Sequence, residues 1–174
     1  QLRAVRSDLQ VQEIRGNVVT RLEKLAENEE MAATVLAAAG LGRLNFNIED
    51  GRLVGDAVPE GIRAEMLDSE VMLPCAGQAA IGIEVRAEDA RIDSICSRLD
   101  HFNSHQAVRA ERALLAAMGG GCSSPLGTLA TVEGERMTLQ AVSFLENEVQ
   151  RAKAKGDVRE PEALGEEAAC QLRA

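Results

Sequence analysis

The first forty residues switch between the hydrophobic periods of strand and helix. Residues 9–14 alternate apolar and polar side chains, as a half-buried strand does. Asn17 can cap a helix over residues 18–27, whose apolar positions fall on one stripe. Residues 33–39 are small and apolar, which suits a strand covered on both faces. This order predicts a β-α-β unit, the pattern of a parallel sheet with a right-handed crossover.

The middle of the chain is polar and rich in turn-forming residues. Residues 47–70 contain three glycines and a proline, so we predict a surface excursion there, with one short helix near residues 60–67. Residues 71–85 are punctuated by Pro74, Gly77 and Gly82, and the mainly apolar residues 81–85 predict a buried strand.

The last ninety residues indicate a small α+β domain. Helical periodicity covers residues 87–99 and 104–118, with Ser104 as the cap of the second helix. Three strands and a final helix beginning near Pro161 follow. The strands are predicted at residues 127–132, 137–144 and 149–154, with turns at Gly134 and Asn147. The fold class is therefore α/β: a β-α-β domain, then an α+β domain with a three-stranded antiparallel sheet and helices.

The composition excludes several classes of protein. Only 2% of the 174 residues are aromatic and 45% are hydrophobic, so the core must be aliphatic. The net charge of −9 argues against a nucleic-acid partner, and no stretch approaches the ~20 apolar residues of a membrane span. The four cysteines are dispersed without a CxxC pair, so we expect no metal site. Dispersed thiols fit a reducing compartment, so we expect a cytoplasmic protein without a membrane partner.

Three arginines stand where ligands bind in an α/β sheet. Arg15 follows the first predicted strand, Arg21 lies in the first turns of the helix, and Arg43 follows the second strand. Ligands of such sheets bind outside the carboxyl ends of strands, where helix N-termini also favour anions. A guanidinium group grips a carboxylate through two hydrogen bonds, so the pattern suits a polycarboxylate. On spacing alone, surface pairing with Glu13 or Glu23 is the simpler explanation.

A run of three glycines precedes Cys122 and follows a predicted helix. Glycines let a ligand approach the backbone closely, and a thiol on such a loop is accessible. A small buried thiol after a helix end explains the same pattern and is the commoner role of a free cysteine. The pair Gly77 and Gln78, which opens another apolar stretch, indicates backbone close to a ligand or a hinge.

Five motifs in order carry a resemblance across nearly the whole chain. They are RGNVVTRL at residues 15–22, VLAAAGLGRL at 35–44, LPCAGQAAIGIE at 73–84, AERA at 110–113 and GGCSSPLG at 120–127. Together they resemble the hydroxymethylbilane synthase (porphobilinogen deaminase) family. Two small departures are Ala76, where the family usually has Val, and Ala79, where it usually has Gly.

The resemblance implies an activity and a cofactor. Cys122 is expected to carry a dipyrromethane through a thioether. Four porphobilinogen molecules are expected to be joined to this cofactor one after another, each with loss of ammonia. Hydrolysis then releases hydroxymethylbilane, in the route to tetrapyrroles and haem. The parent protein would be a transferase, with porphobilinogen and the growing pyrrole chain as its partners.

The resemblance also implies roles for residues outside the cofactor loop. By position, Arg15, Arg21 and Arg43 match arginines that contact the carboxylates of cofactor and substrate. The backbone near Gly40 is expected beside the cofactor. Gln78 is expected to contact substrate where the chain returns to the first domain.

The family has three domains, and the first two resemble periplasmic binding proteins. The resemblance implies that residues 1–70 are the remainder of domain 2 with an extended connection. Residues 71–86 would return to domain 1, and residues 87–174 would form the C-terminal cofactor-anchoring domain. Because Gln1 is not a methionine, we expect a portion that lacks most of domain 1, with its catalytic Asp and Lys. No catalytic residue is therefore expected here, the portion alone is expected to be inactive, and the parent is expected to be monomeric.

Two other functions are weighed against this one. A non-catalytic or vestigial module could retain the arginines to bind carboxylates, because proton transfer needs a positioned acid that these residues are not expected to supply. A redox protein using the four thiols is disfavoured, because no two cysteines have redox-motif spacing.

Overall fold

The structure is a computed structural model that describes residues 1–121, 123–145 and 148–174. It divides into two compact units, one of residues 6–68 and one of residues 1–5 with 69–174. The described elements, in chain order, are α1 (Leu2–Val5), α2 (Val18–Glu27), α3 (Ala38–Arg43), β1 (Asn47–Glu49), β2 (Arg52–Val54), α4 (Ala90–Cys96), α5 (Phe102–Ala117), β3 (Leu126–Glu133), β4 (Arg136–Ser143), β5 (Gln150–Asp157) and α6 (Pro161–Leu172).

The larger unit is organised by the antiparallel sheet β3-β4-β5 and the helices α5 and α6. Leu126 pairs with Ser143 in the first ladder, and Arg136 pairs with Asp157 in the second. Alternate strand residues enter the core, because successive side chains point to opposite faces of a sheet. The core is aliphatic, as the composition predicts, and its fully enclosed members include Leu114, Met137, Leu139, Ala168 and Leu172.

Helices α5 and α6 approach each other closely at Gly165. A Cβ atom at this position would lie 2.5 Å from the Ala110 carbonyl oxygen and 2.7 Å from the Ala113 Cβ. Only glycine fits without moving backbone, so this residue sets the spacing of the helix pair that covers the sheet.

The smaller unit has a small core of its own. Leu22 of α2, Phe46 and Leu53 of β2 are its buried members. Strands β1 and β2 form a hairpin around Asp50 and Gly51, which both have positive φ, as a tight primed turn requires.

The predicted β-α-β unit is right in its helix and wrong in its strands. Residues 9–14 and 33–37 form no strand ladder, and the chain enters α3 from Ala38. The strand predicted at 81–85 is also wrong. The side chains of Val11 and Ile81 are 70% and 78% exposed. An alternating pattern specifies a strand only where a neighbouring strand completes its hydrogen bonds, and among the described residues these segments have none.

The short helix predicted near residues 60–67 is wrong for a local reason. The Leu53 N–H donates to the Ile62 carbonyl at 3.0 Å, and the Ala64 N–H donates to the Gly51 carbonyl at 3.1 Å. These bonds hold residues 62–64 extended beside the hairpin, so they leave the backbone no helical partners.

The α+β prediction is confirmed in its order of elements. The three strands, their antiparallel pairing and the turn at Gly134 are present, and α6 begins at Pro161 as predicted. Helix α4 is shorter than predicted, with Asp89 accepting from the Ile92 N–H as its cap. His101, rather than Ser104, caps α5. The turn predicted at Asn147 lies outside the described residues. No described helix combines the length and the apolarity that crossing a membrane would take.

Candidate functional site

The RGNVVTRL motif builds a fixed turn at the start of α2. Gly16 has a φ of 132°, and a Cβ there would lie 2.8 Å from the Thr20 Cγ2, so glycine is required. The Asn17 Oδ1 accepts from the Thr20 N–H at 2.9 Å and caps the helix. These contacts explain why the motif contains Gly16, Asn17 and Thr20. They do not explain its two arginines.

Arg15 projects from this turn into solvent. Its guanidinium group donates to both oxygens of Glu13, the shortest distance being 3.1 Å. The two side chains are 82% and 74% exposed, and an ion pair so exposed contributes little to stability. The surface pairing weighed from the sequence is therefore present, and it is weak enough for another carboxylate to replace Glu13.

Arg21 and Lys24 join Arg15 at the same turn. The Arg21 Nε donates to the Gly16 carbonyl at 2.8 Å, and the Lys24 Nζ donates to the Arg15 carbonyl at 2.8 Å. Among the described residues no acidic side chain forms an ion pair with Arg21 or Lys24. Lys24 was missed from the sequence, although its spacing of three from Arg21 puts both on one helix face.

The pair Gly40 and Arg43 lies on the short helix α3. A Cβ at Gly40 would lie 3.8 Å from the Val18 Cγ2, so α3 packs beside the first turn of α2. That contact is ordinary van der Waals distance, and Gly40 has no steric need to be glycine. Arg43 is exposed one turn further along the same helix. The structure thus places α3 against the turn that carries Arg15 and Arg21.

An open depression of about 360 Å³ lies beside this turn. Its lining contains both basic and acidic groups, so it is not a purely cationic pocket. The lining residues are Glu13, Ile14, Arg15, Lys24, Glu27, Asn28 and Met31. The cationic groups that this depression offers to an anion are those of Arg15 and Lys24.

In the larger unit, α5 ends in a Schellman turn. The Gly120 N–H donates to the Leu115 carbonyl and the Gly119 N–H to the Ala116 carbonyl, both at 2.9 Å. Gly119 has a φ of 67°, which the turn requires at this position. The first glycine of the run is therefore a helix terminator.

The next two glycines have different reasons to be glycine. A Cβ at Gly120 would lie 2.5 Å from the Ser124 Oγ and 2.9 Å from the Leu115 Cδ1, so this position is sterically closed. A Cβ at Gly121 would meet nothing within 4 Å. The Gly121 N–H donates to the Ser124 Oγ at 2.8 Å. Cys122, the predicted anchor of the cofactor, lies outside the described residues.

The segment after Val71 runs along the free edge of β3. The Thr128 N–H donates to the Pro74 carbonyl at 2.8 Å. A Cβ at Gly127 would lie 3.0 Å from the Leu73 Cβ, so the last glycine of GGCSSPLG lets this segment lie against the strand. The Gln1 side chain completes the arrangement by pairing with the Leu73 backbone through two hydrogen bonds.

Gln78 stands on two consecutive turns and is exposed. Its N–H donates to the Cys75 carbonyl at 3.0 Å, and the Ala80 N–H donates to the Gly77 carbonyl at 3.2 Å. Gly77 and Ala79, the third residues of these turns, have φ values of 70° and 71°. Positive φ at that position is the signature of a type II turn. Ala79 therefore occupies a conformation that favours glycine, the residue usual in the family.

The carboxylate of Glu111, in the AERA motif, is hydrogen-bonded to the backbone of this turn. It is buried on α5 and accepts from the Gly77 N–H at 2.7 Å and from the Ala130 N–H at 2.9 Å. Burial raises the pKa of Glu111, and the hydrogen bonds from Ala130 and Gly77 oppose that rise. Sequence reasoning missed this residue, although a glutamate between apolar helix positions is a signal of a buried polar contact.

Metal ligands are not gathered anywhere in the described part of the chain, where no three His, Cys, Asp or Glu side chains form a cluster that could hold an ion. Cys75, Cys96 and Cys170 are free thiols, two of them exposed. His101 and His105 make local hydrogen bonds, to Ser104 and Asp100.

Fold and site together define a two-unit α/β protein. One unit presents cationic groups suited to carboxylates. The other contains the glycines that precede Cys122 and the turn of residues 75–80, which is hydrogen-bonded to Glu111. The family model described as "Porphobilinogen deaminase, dipyromethane cofactor binding domain" matches residues 1–94. The model described as "Porphobilinogen deaminase, C-terminal domain" matches residues 105–174. The chain belongs to the porphobilinogen deaminase family, which confirms the resemblance found in its motifs.

Curated relatives match all or nearly all of the chain. Porphobilinogen deaminase of Moorella thermoacetica is 43% identical over 176 residues, covering 100% of this chain and 52% of the relative. Its namesake from Desulforudis audaxviator is 42% identical, covering 99% of this chain and 52% of the relative. The one from Roseiflexus sp. is 39% identical, over 95% and 50%. The chain thus spans about half the length of these relatives.

Proposed function

We propose that the protein is a hydroxymethylbilane synthase, which condenses four porphobilinogen molecules with loss of ammonia and hydrolyses the product to hydroxymethylbilane. The observation that carries the proposal is the set of glycines in the cofactor loop. Gly119 and Gly120 are explained by the backbone and by packing, whereas Gly121, directly before Cys122, is free of steric demand. An uncovered backbone beside a thiol is what a bulky covalent ligand needs.

The described residues fit a dipyrromethane on Cys122. Gly121, the residue before Cys122 in the sequence, has open space on the side where a Cβ would lie, and the described neighbours Gly121 and Ser123 are exposed. When bound, the group supplies the terminal pyrrole to which the first substrate is joined. Each pyrrole carries an acetate and a propionate, so the protein must supply several cationic groups.

Arg15, Arg21 and Arg43 are proposed to bind these carboxylates, and Lys24 joins them. Arg15 exchanges Glu13 for a ligand carboxylate at little cost, because its present ion pair is exposed. Gly40 is proposed to lie beside the cofactor. Its helix position would favour Ala, since an interior Gly costs about 1 kcal/mol there. Keeping glycine without a packing reason supports close approach of a ligand. Gln78 is proposed to contact substrate from its exposed turn.

The finer organisation is also a proposal. Residues 1–70 would belong to a domain resembling a periplasmic binding protein, 71–86 would return to domain 1, and 87–174 would anchor the cofactor. The split between Asp68 and Ser69 supports a boundary near residue 70, whereas residues 1–5 group with the larger unit. We further propose a cytoplasmic, monomeric parent without nucleic-acid or membrane partners.

The acid that drives each condensation is proposed to lie in domain 1, outside these residues. Among the described residues the buried carboxylate of Glu111 is occupied by two backbone N–H groups, so it is not free to move a proton to substrate. We therefore expect turnover from the full-length protein and none from residues 1–174 alone.

A carboxylate-gripping role for Arg21 is tested by Arg21→Lys in the full-length enzyme. Lysine keeps the charge but loses the planar fork, so KM for porphobilinogen should rise by about tenfold. The matched control is Arg136→Lys, at an exposed position on β4 that lies outside all five motifs. Equal kinetics for Arg21→Lys and wild type would remove Arg21 from the site, and a full-length wild type that left porphobilinogen unconsumed would refute the function.

A further inference from the structure

Glu111 is a buried carboxylate whose hydrogen bonds join three segments of the larger unit. It is 7% exposed on α5, its Oε2 accepts from Gly77 in the 73–80 segment, and its Oε1 accepts from Ala130 on β3. Among the described residues no Lys, Arg or His forms an ion pair with it. Two backbone N–H groups therefore compensate its burial, a costly arrangement that packing alone does not require.

The chemistry of these contacts calls for a carboxylate in particular. Both partners are donors, and a carboxylate accepts on both oxygens. A glutamine of the same shape would accept one bond and turn its NH2 group toward the other N–H. An apolar side chain would fill the volume but leave two buried donors without acceptors. The two bonds thus hold the backbone at Gly77 and the backbone at Ala130 at a fixed distance from each other.

The bond to Gly77 acts on the turn that carries Gln78. Gly77 accepts from the Ala80 N–H and lies next to Gln78, whose own N–H is bonded to Cys75. A Cβ at Gly77 would lie 4.0 Å from the Val108 Cγ1, so the turn also rests on α5. The segment is held upstream as well, through Pro74 and Thr128. Loss of the Glu111 bond would free the far end of the turn while its near end stays attached.

We propose that Glu111 is a positioning residue of the enzyme: its carboxylate fixes the turn of residues 75–80 on α5 and β3, and so holds Gln78 in place for substrate. The inference rests on the proposed function and on the proposed contact of Gln78 with substrate. It assigns a role to the AERA motif, which neither the arginines nor the cofactor loop explains.

The test is a double-mutant cycle in the full-length enzyme, with Glu111→Gln, Gln78→Ala and the combination. Glu111→Gln should raise KM for porphobilinogen about three- to tenfold, the size of one lost hydrogen bond, with kcat nearly unchanged. In the Gln78→Ala background the same change should have almost no further effect, because the two residues act through one turn. Amide exchange at Gly77 or Ala130 should become about tenfold faster in Glu111→Gln.

Glu162→Gln is the matched control, since it removes an exposed carboxylate of the same unit, paired with Arg109. It should leave KM and exchange at Gly77 unchanged. If Glu111→Gln does not fold, Glu111→Asp replaces it, because aspartate keeps the charge with a shorter reach. Faster exchange at Gly77 without any change in KM, or fully additive effects of the two mutations, would overturn the positioning role. A wild type without turnover would instead refute the proposed function, and the positioning role with it.

Discussion

At the scale of single residues, the glycines of the motifs fall into two groups, those that the backbone conformation requires and those that it does not. Gly16, Gly119 and Gly77 have positive φ, so their glycines follow from backbone geometry. Neither Gly121 nor Gly40 has a positive φ; a Cβ at Gly121 would meet nothing within 4 Å, and one at Gly40 would make only an ordinary contact with Val18 at 3.8 Å. The first group is explained by folding, and the second group is what the proposed ligand would explain.

Ala79 has the φ of a glycine and offers a stability test. A non-glycine residue in the left-handed region costs roughly 1–2 kcal/mol, so Ala79→Gly should raise the free energy of unfolding by up to about 1 kcal/mol after the added chain entropy is subtracted. Urea unfolding measures the change. Ala76→Gly is the control in the same segment, where φ is not positive, and it should lose about 0.5–1 kcal/mol. A loss of stability at both positions would contradict the turn geometry.

The burial of Glu111 predicts the sign of a pH dependence in the stability of the chain. Because burial raises its pKa in the folded state, the folded protein holds this proton at pH values where the unfolded chain has released it. Its contribution to stability is complete below the unfolded pKa and is lost as pH rises through the raised folded value. The difference in unfolding free energy between wild type and Glu111→Gln should therefore shrink as pH rises through that interval. A difference that grew with pH would show a lowered pKa instead.

At the scale of elements, two glycines after α5 are predicted to have different roles: Gly119 ends the helix, and Gly121 leaves room for a ligand. Gly119→Ala should lower the free energy of unfolding by about 1 kcal/mol, because it forces a Cβ into the left-handed position of the Schellman turn. Gly121→Ala should leave stability within about 0.5 kcal/mol, because its Cβ meets nothing. Under the proposed function, Gly121→Ala should nevertheless reduce cofactor loading of the full-length enzyme, measured by mass spectrometry. Normal loading would remove the ligand-access role of Gly121.

The elements also show what the sequence could predict. Helices α2 and α5 and the ladder β3-β4-β5 were predictable, because caps, periodicity and short turns are local signals. The strands at 9–14, 33–39 and 81–85 were not, because an apolar alternating segment becomes a strand only beside a partner. The hairpin β1-β2 was missed although its Asp50-Gly51 pair is a known turn signal.

The candidate site was predictable in part. The structure places Arg15 and Arg21 on one turn, as their motif indicated, and it adds Lys24 through a bond to the Arg15 carbonyl. The role of Glu111 could not be predicted, because its partners Gly77 and Ala130 lie 34 and 19 residues away along the chain. Contacts at that separation are set by the packing of α5 on β3, and local patterns carry no information about it.

At the scale of the whole molecule, the two units are proposed to supply different groups to the function proposed above. Residues 6–68 include Arg15, Arg21, Lys24 and Arg43, and the larger unit includes the glycines before Cys122 and the turn of residues 75–80. The chain spans about half the length of the curated relatives it matches. The units described here are proposed to bind and hold the pyrroles rather than to supply the acid.

The central claim is that Cys122 anchors a dipyrromethane, and the mass of the intact protein tests it most directly. Freshly purified full-length protein should be heavier than its sequence by two linked pyrroles, and Cys122→Ser should have the unmodified mass. Cys75→Ser, which removes an exposed thiol of the same unit, should keep the full increment. An unmodified mass for the freshly prepared wild type, or an increment that survives Cys122→Ser, would contradict the account.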